Sequence, residues 1–332
     1  MSKHQISTLL VLSCLGSQVS MADVVDTDLL TEVKTAYYQR DYQTLAHQLQ
    51  APGLSPLQQD IWQVALAVAR QADNQKDLLH ALTERYQDNA EAHYQAGRLW
   101  YEVKENSSFI NKLGYIDLHV QHMLRANELA PNTPKYMFEA AKALAWENLW
   151  GWDKEAAQQL VVQLAALDQQ YHLVAAMDFA QNTQDSRTGE QLITQVKTEF
   201  ADNLRLMERA AQLQLTYDQK APAQQSFYQS CMLTPHDVTL LPKWRDACQW
   251  SAHLSLQGYG EKTQGMAAIS RLLEEDKVYD EDYVQSLLLQ GELAEAMAQP
   301  LLARQSYEDA LAITKDKASQ KQIRRALKAL SR

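Results

Sequence analysis

Apolar residues recur along this chain at the three- and four-residue spacing of an amphipathic helix, with little of the two-residue alternation of a strand. The strongest window is 57–70, where Ile61, Trp62, Ala65, Leu66 and Val68 form one stripe. Joining the periodic windows between polar or Gly/Pro breaks gives a series of helix pairs. The first occupies 28–50 and is broken near Arg40-Asp41. The second occupies 57–70 and 76–86, after the Pro52-Gly53 punctuation. Further pairs are predicted at 91–101 and 118–129, 135–147 and 153–167, 171–181 and 187–200, 204–217 and 222–232, 241–256 and 261–274, and 282–297 and 300–313. A last basic amphipathic helix at 318–330 is placed to cover the open apolar end of the stack. Two connections read as longer than a turn: an insertion at 102–113 in the third pair, and 148–152 in the fourth.

Composition supports helices. Gly and Pro number only 10 and 8 in 332 residues, too few for the tight turns of an all-β chain. A single core rarely grows beyond roughly 250–300 residues, but a stack in which each unit touches only its neighbours has no such limit.

A repeated grammar runs through the pairs. Its clearest copy is Leu287-x2-Gln290-Gly291-x2-Ala294 followed by Ala303-x3-Tyr307-x2-Ala310. A second ends in Ala223-x3-Phe227-x2-Ser230-x4-Pro235, and a third reads Ala96-Gly97-x2-Trp100, then Ala126-x4-Pro131. Small residues at the crossing, bulky wedges and a proline near the end resemble the tetratricopeptide repeat (TPR), whose period is about 34 residues. The resemblance implies an all-α solenoid, a right-handed superhelix of about eight antiparallel helix pairs with a C-terminal capping helix. It divides the chain into N-terminal helix pairs at 23–90 and TPR-like repeats at 91–332. The stretch 92–157 also resembles a group of exported proteobacterial TPR proteins, through His93-Tyr94-x2-Gly97, Ser108-Phe109, Ala126-x2-Leu129-x-Pro131 and Gly151-x-Asp153-Lys154-x-Ala156. That group has a Pro-Gly and a paired glycine before the Asp-Lys, where this chain has Leu149-Trp150-Gly151-Trp152.

The first 22 residues read as a secretory signal: Lys3 and His4, an apolar run from Ile6 to Leu15, then small and polar residues to Ala22. The expected location is the periplasm. A competing reading takes Val11-Leu12-Ser13-Cys14 as a lipobox, with Cys14 lipid-anchored. The apolar run is too short to span a bilayer, and no later segment is long and apolar enough, so an integral membrane protein is not expected. The net charge of −10 opposes nucleic-acid binding, which needs a basic footprint.

The chemistry-bearing candidates are few. There is no phosphate-binding glycine loop, no Gly-x-Ser-x-Gly and no His-Glu-x-x-His, so no enzyme and no cofactor are expected. His119-x-x-His122, with Asp117 and His93, offers imidazoles to a metal, but a stable zinc site needs three or four ligands and no metal is expected. Glu274-Glu275-Asp276 reads as a solvated helix end. Cys231 and Cys248 are either bridged, as an exported chain permits, or two buried thiols. Trp146, Trp150 and Trp152 crowd one connection, with Trp150 and Trp152 either partner anchors or fillers of a wide gap.

In TPR proteins the first helix of each pair lines a concave groove that takes a peptide. The resemblance places Tyr94, Arg98 and Tyr101 there in the third pair, Phe138, Lys142 and Ala145 in the fourth, and Glu208, Gln212 and Leu215 in the sixth. Such an aromatic and basic patch could clamp a carboxylate or an aromatic side chain of a protein or peptide partner. The expected function is an exported scaffold without catalysis. The alternatives are a lipidated subunit of an envelope export or biogenesis assembly, and an enzyme with its site on an inserted loop.

Overall fold

A computed structural model describes residues 26–145, 153–276, 278 and 280–331. The described residues form seventeen α-helices and no strand. They come in consecutive pairs: α1 (Thr27–Tyr38) with α2 (Tyr42–Gln48), α3 (Pro56–Ala69) with α4 (Gln75–Arg85), α5 (Ala90–Glu105) with α6 (Phe109–Leu129), and α7 (Pro134–Ala145) with α8 (Lys154–Leu167). The second half continues with α9 (Gln169–Asn182) and α10 (Ser186–Glu199), α11 (Leu204–Thr216) and α12 (Lys220–Met232), α13 (Leu241–Leu256) and α14 (Lys262–Glu275), and α15 (Glu281–Ala296) and α16 (Pro300–Ile313). The last helix, α17 (Lys317–Leu330), buries Ile323 against the eighth pair and leaves its lysines and arginines in solvent. Residues 1–22, read from sequence as a secretory signal, and the three tryptophans at 146–152 lie outside the described residues.

The chain specifies its helix starts with short polar side chains. Asp26, Asp41, Ser55, Asn89, Asp153, Asp168, Asp185, Asn203, Asp280 and Asp316 each accept a hydrogen bond from a backbone N–H in the first turn that follows. Pro56 and Pro300 occupy first-turn positions, where the missing N–H costs nothing. The turn inside a pair recurs even more regularly. In the first, second, fifth, sixth and eighth pairs the second residue after the first helix is left-handed: Arg40, Gln71, Gln184, Asp218 and Ala298, with φ of 53–63°. In the seventh pair this residue is Gly258. The next N–H then donates back to the carbonyl five residues earlier, as in Asp41 to Ala36 and Gln299 to Ala294, which closes a Schellman turn.

The third pair departs from this turn. The insertion expected at 102–113 is not a loop. α5 runs to Glu105, α6 begins at Phe109, and only Asn106-Ser107-Ser108 connects them. The extra residues lengthen both helices, so the hairpin projects, and Phe109 and Ile110 at its tip are about four-fifths exposed (80 and 84%).

Helix crossings are closed by small residues. A Cβ on Gly291 would come within 2.5 Å of the Tyr307 ring, and one on Gly265 within 2.5 Å of Ser255 Cβ. Ala303 and Ala310 are fully buried beside Tyr307. The core is strung along the stack as overlapping clusters, one spanning Leu29–Val103 and another Leu204–Ile323, as expected when each pair packs on its neighbours. Cys231 at the end of α12 and Cys248 in α13 form a disulfide with Cα atoms 4.8 Å apart. A tight turn near Pro235 would have set Cys231 opposite 241–242. Instead the connection runs through a 3-10 turn at Val238–Leu240 before α13 begins, which carries Cys248 to the level of Cys231. Among the described residues no helix is long and apolar enough to cross a membrane.

Candidate functional site

The chain folds back on its own beginning. The turn after α1 packs against α13 and the start of α15: Arg245 Nη1 donates to Tyr38 O at 2.9 Å, and Arg40 pairs with Asp276 at 3.0 Å, Asp280 at 2.9 Å and Asp282 at 2.6 Å. Arg245 also holds Asp276 with two nitrogens, at 2.5 and 2.8 Å. Asp276 is therefore buried between two guanidinium groups, not solvated as its acidic neighbours suggested. Glu275 turns outward to Arg271, at 2.8 Å.

Between these ends lies a cavity of about 300 Å³, walled by Tyr38, Tyr42, Arg98, Arg245, Asp246 and Gln249 among others. From it a polar seam runs along the first helices in two stretches, one through α5 and α7 and one through α13, α11 and α9. Tyr37 donates to Glu102 at 2.9 Å and Arg98 to the Tyr38 hydroxyl at 2.9 Å, tying α1 to α5. Lys135 reaches Glu91 at 2.5 Å, Arg209 pairs with Asp178, and Lys243 reaches Glu208 at 3.0 Å, tying α7 to α5, α11 to α9 and α13 to α11. Gln249 donates to Ser286 at 3.0 Å, tying α13 to α15.

The groove residues named from sequence sit along this seam, and none is a free arm. Tyr94 is half-buried, 5.4 Å between ring centres from Tyr136, with the Lys135 ammonium 5.0 Å from its ring centre. Arg98 bonds Tyr38 and Gln95 and lies 3.5 Å from Glu102. Tyr101 packs edge-on against His119, with the Lys104 ammonium 3.6 Å over its ring. Phe138 is wedged against Tyr171 and two core clusters. Lys142 stays exposed, 3.8 Å from Glu139, and that carboxylate holds its ammonium above the usual lysine range. Ala145 and Glu208, also expected to face the groove, are buried. Trp150 and Trp152 fall outside the described residues.

The histidines divide. His119 Nδ1 donates to Gly97 O at 2.9 Å, where a Cβ on residue 97 would come within 3.2 Å of the His119 carbonyl. His122 faces His93 across a 3.0 Å Nδ1–Nδ1 hydrogen bond. His93 Nε2 is bonded to the Gln87 carbonyl at 2.9 Å, so it carries a hydrogen. In the neutral ring His93 Nδ1 is then bare, and His122 Nδ1 is the donor. Among the described residues no three His, Cys, Asp or Glu side chains converge as metal ligands.

The joining of the two ends and the seam were not read from sequence. Their members are scattered from Tyr37 to Ser286 with no shared spacing. The one available signal was the position of Arg40, at the break of the first pair. Comparison with protein-family models and with curated proteins finds no match to this chain.

Proposed function

We propose that this chain is an exported, TPR-like scaffold, a right-handed superhelix that binds a protein or peptide partner in the bacterial envelope and acts without catalysis. The observation that carries this reading is the set of polar contacts along the first helices, joining α1, α5 and α7 in one run and α9, α11, α13 and α15 in another, which meet at the cavity between α1, α5, α13 and α15. A surface laid out over many helices binds by area and shape. The arginines of the described wall spend their charges on neighbouring carboxylates and hydroxyls, as structural partners, and not on orienting a base toward a nucleophile. The Schellman turns shared by six of the eight pairs support the repeat reading independently of the Gly/Ala/Tyr grammar. The leader at 1–22 supports export.

Affinity capture from the native envelope tests the proposal, with parallel mass analysis of the mature N-terminus. One stoichiometric protein partner, on a chain beginning at Asp23, is expected. A chain beginning with diacylated Cys14 would transfer the reading to a lipidated envelope subunit. Absence of any partner under conditions that preserve envelope complexes would overturn the scaffold function.

A further inference from the structure

The cavity between α1 and α13 was formed by folding, so its ligand chemistry is set by what the wall leaves unpaired. Its three guanidinium groups are committed. Arg245 is bonded to Asp276 and to Tyr38 O, Arg98 to the Tyr38 hydroxyl and Gln95, and Arg40 to three aspartates. Arg40 Nε has no acceptor, but it is sealed from solvent and offers nothing to an incoming group. The uncommitted atoms are of the other kind. Asp246 lines the cavity, is exposed to it, and makes neither a hydrogen bond nor an ion pair with any described residue. Gln249 gives its Nε2 to Ser286, which leaves Oε1 as an acceptor. Tyr42 contributes a half-buried ring whose hydroxyl bonds no described residue. A wall with spent cations, a spare carboxylate, a spare amide oxygen and an aromatic face suits a donor-rich cation.

We propose that this cavity binds an alkylammonium or guanidinium group, with Asp246 as its counter-ion, Gln249 Oε1 as a hydrogen-bond acceptor and Tyr42 as its aromatic face. This rests on the binding reading above and reverses the sign of the ligand that the arginines and lysine suggest from sequence. A volume of about 300 Å³ takes a lysine- or arginine-sized head with its stem. The groups facing Asp246 agree. Burial, and then Glu208 of α11, push its carboxyl up to about 6; Asp282 of α15 adds to the rise, and Lys243 and Arg245 on α13 oppose it. A bound cation relieves that strain on the ionised form, so binding should weaken as pH falls below about 6.

Calorimetric titration of the full mature protein with cadaverine, with the blocked peptide acetyl-Gly-Lys-Gly-amide and with glutarate tests the proposal. Saturable binding of cadaverine, of the lysine peptide or of both is expected, and none of glutarate. The stronger of the two cations identifies the source as a free amine or a basic side chain. Asp246→Asn should weaken binding at least tenfold without lowering the melting temperature, and Tyr42→Leu should weaken it less. Binding of glutarate in place of the cations, no binding of either cation, or wild-type affinity in Asp246→Asn would each overturn the proposal. Failure of the scaffold reading looks different: cadaverine binds with Asp246 dependence, yet the envelope yields no partner. Partner capture with no cation binding leaves the scaffold standing and removes the cavity ligand.

Discussion

Arg40 and Asp276, 236 positions apart, form an ion pair of 3.0 Å that joins the first helix pair to the end of α14. Arg40 serves three carboxylates from a left-handed backbone position, while Asp276 accepts from both arginines at Oδ2 and from Arg245 alone at Oδ1. Removing the arginine strands like charges that were brought together only because it stood among them. Arg40→Ala should cost about 1–3 kcal/mol, less than a fully buried pair because Asp280 and Asp282 reach solvent. Urea melts measure the loss, and small-angle scattering should show a larger radius of gyration as the first pair swings free. An unchanged radius would mean that the apolar contacts of α1 suffice to hold the ends together.

The left-handed turn gives a second expectation, with opposite sign. Ala298 sits at φ 55° on an exposed turn and makes no side-chain hydrogen bond that would repay the conformation. A left-handed L-residue costs roughly 1–2 kcal/mol, of which glycine returns part to unfolded-state entropy. Ala298→Gly should therefore stabilise by about 0.5–1 kcal/mol in urea melts. The same change at Arg40 should not stabilise, since the strain relieved there is smaller than the ion pairs lost. A destabilised Ala298→Gly would show that the turn is not held left-handed in solution.

Much of the fold was legible because helix pairs advertise themselves. Windows such as 57–70 and 300–313 carry a stripe that only a helix can bury on one side, and Asp or Asn marks the starts. The described residues form helices in consecutive pairs near the positions the pattern gave, apart from the longer third pair, and the last helix follows them. What failed was local. Between Glu102 and Leu113 a polar stretch, Asn106-Ser107-Ser108, looked like a loop, yet its flanks continue as helix. A projecting hairpin buries few of its residues, so its helices lack the stripe that periodicity detects. The repeat itself was hidden where its strongest structural mark lies. Five of the six Schellman turns use Arg, Gln, Asp or Ala at the left-handed position, not the glycine by which such a turn is recognised. The candidate site was less legible still. Tyr94, Arg98 and Tyr101 could be put on one helix face, but a side chain's partners come from other pairs, and no spacing rule links Arg98 to Tyr38 or Asp276 to Arg40.

The His93–His122 pair predicts a loss of stability in mild acid. Burial, and then the neighbouring His93, lower the His122 imidazole to about 4. An unfolded histidine titrates near 6.5, so between pH 6.5 and 4 the unfolded chain takes up a proton that the folded chain refuses. Stability from this site is complete above pH 6.5 and declines as pH falls toward 4, by about 2–3 kcal/mol in all. Denaturant melts at pH 7 and pH 4.5 should show the decline in the wild-type chain, with a shallower one in His122→Gln. Equal slopes in the two proteins would place the acid sensitivity elsewhere, with Asp246 excluded because a raised carboxyl changes stability in the opposite sense.

Arg98 and Tyr94, adjacent on the face of α5, should respond differently to substitution. If both stood free on a groove, replacing them by alanine would abolish partner binding and spare the fold. The contacts of Arg98 argue otherwise. It bridges α1 and α5 through the Tyr38 hydroxyl, holds Gln95, and neutralises Glu102, which also accepts from Tyr37. Arg98→Ala should cost about 1–3 kcal/mol, since Glu102 and Tyr38 lose a charged partner in a half-buried setting. Its effect on binding would then be confounded with its effect on the joined ends. Tyr94 keeps its place through its ring, against Tyr136 and Lys135, and its hydroxyl bonds no described residue. Tyr94→Phe should leave the melt within about 0.5 kcal/mol of wild type. If capture falls in Tyr94→Phe at unchanged stability, the hydroxyl contacts the partner and the groove assignment holds at α5. If capture is unchanged, the partner's polar contacts lie beyond Tyr94, and the wall from Lys142 to Asp246 becomes the face to substitute next.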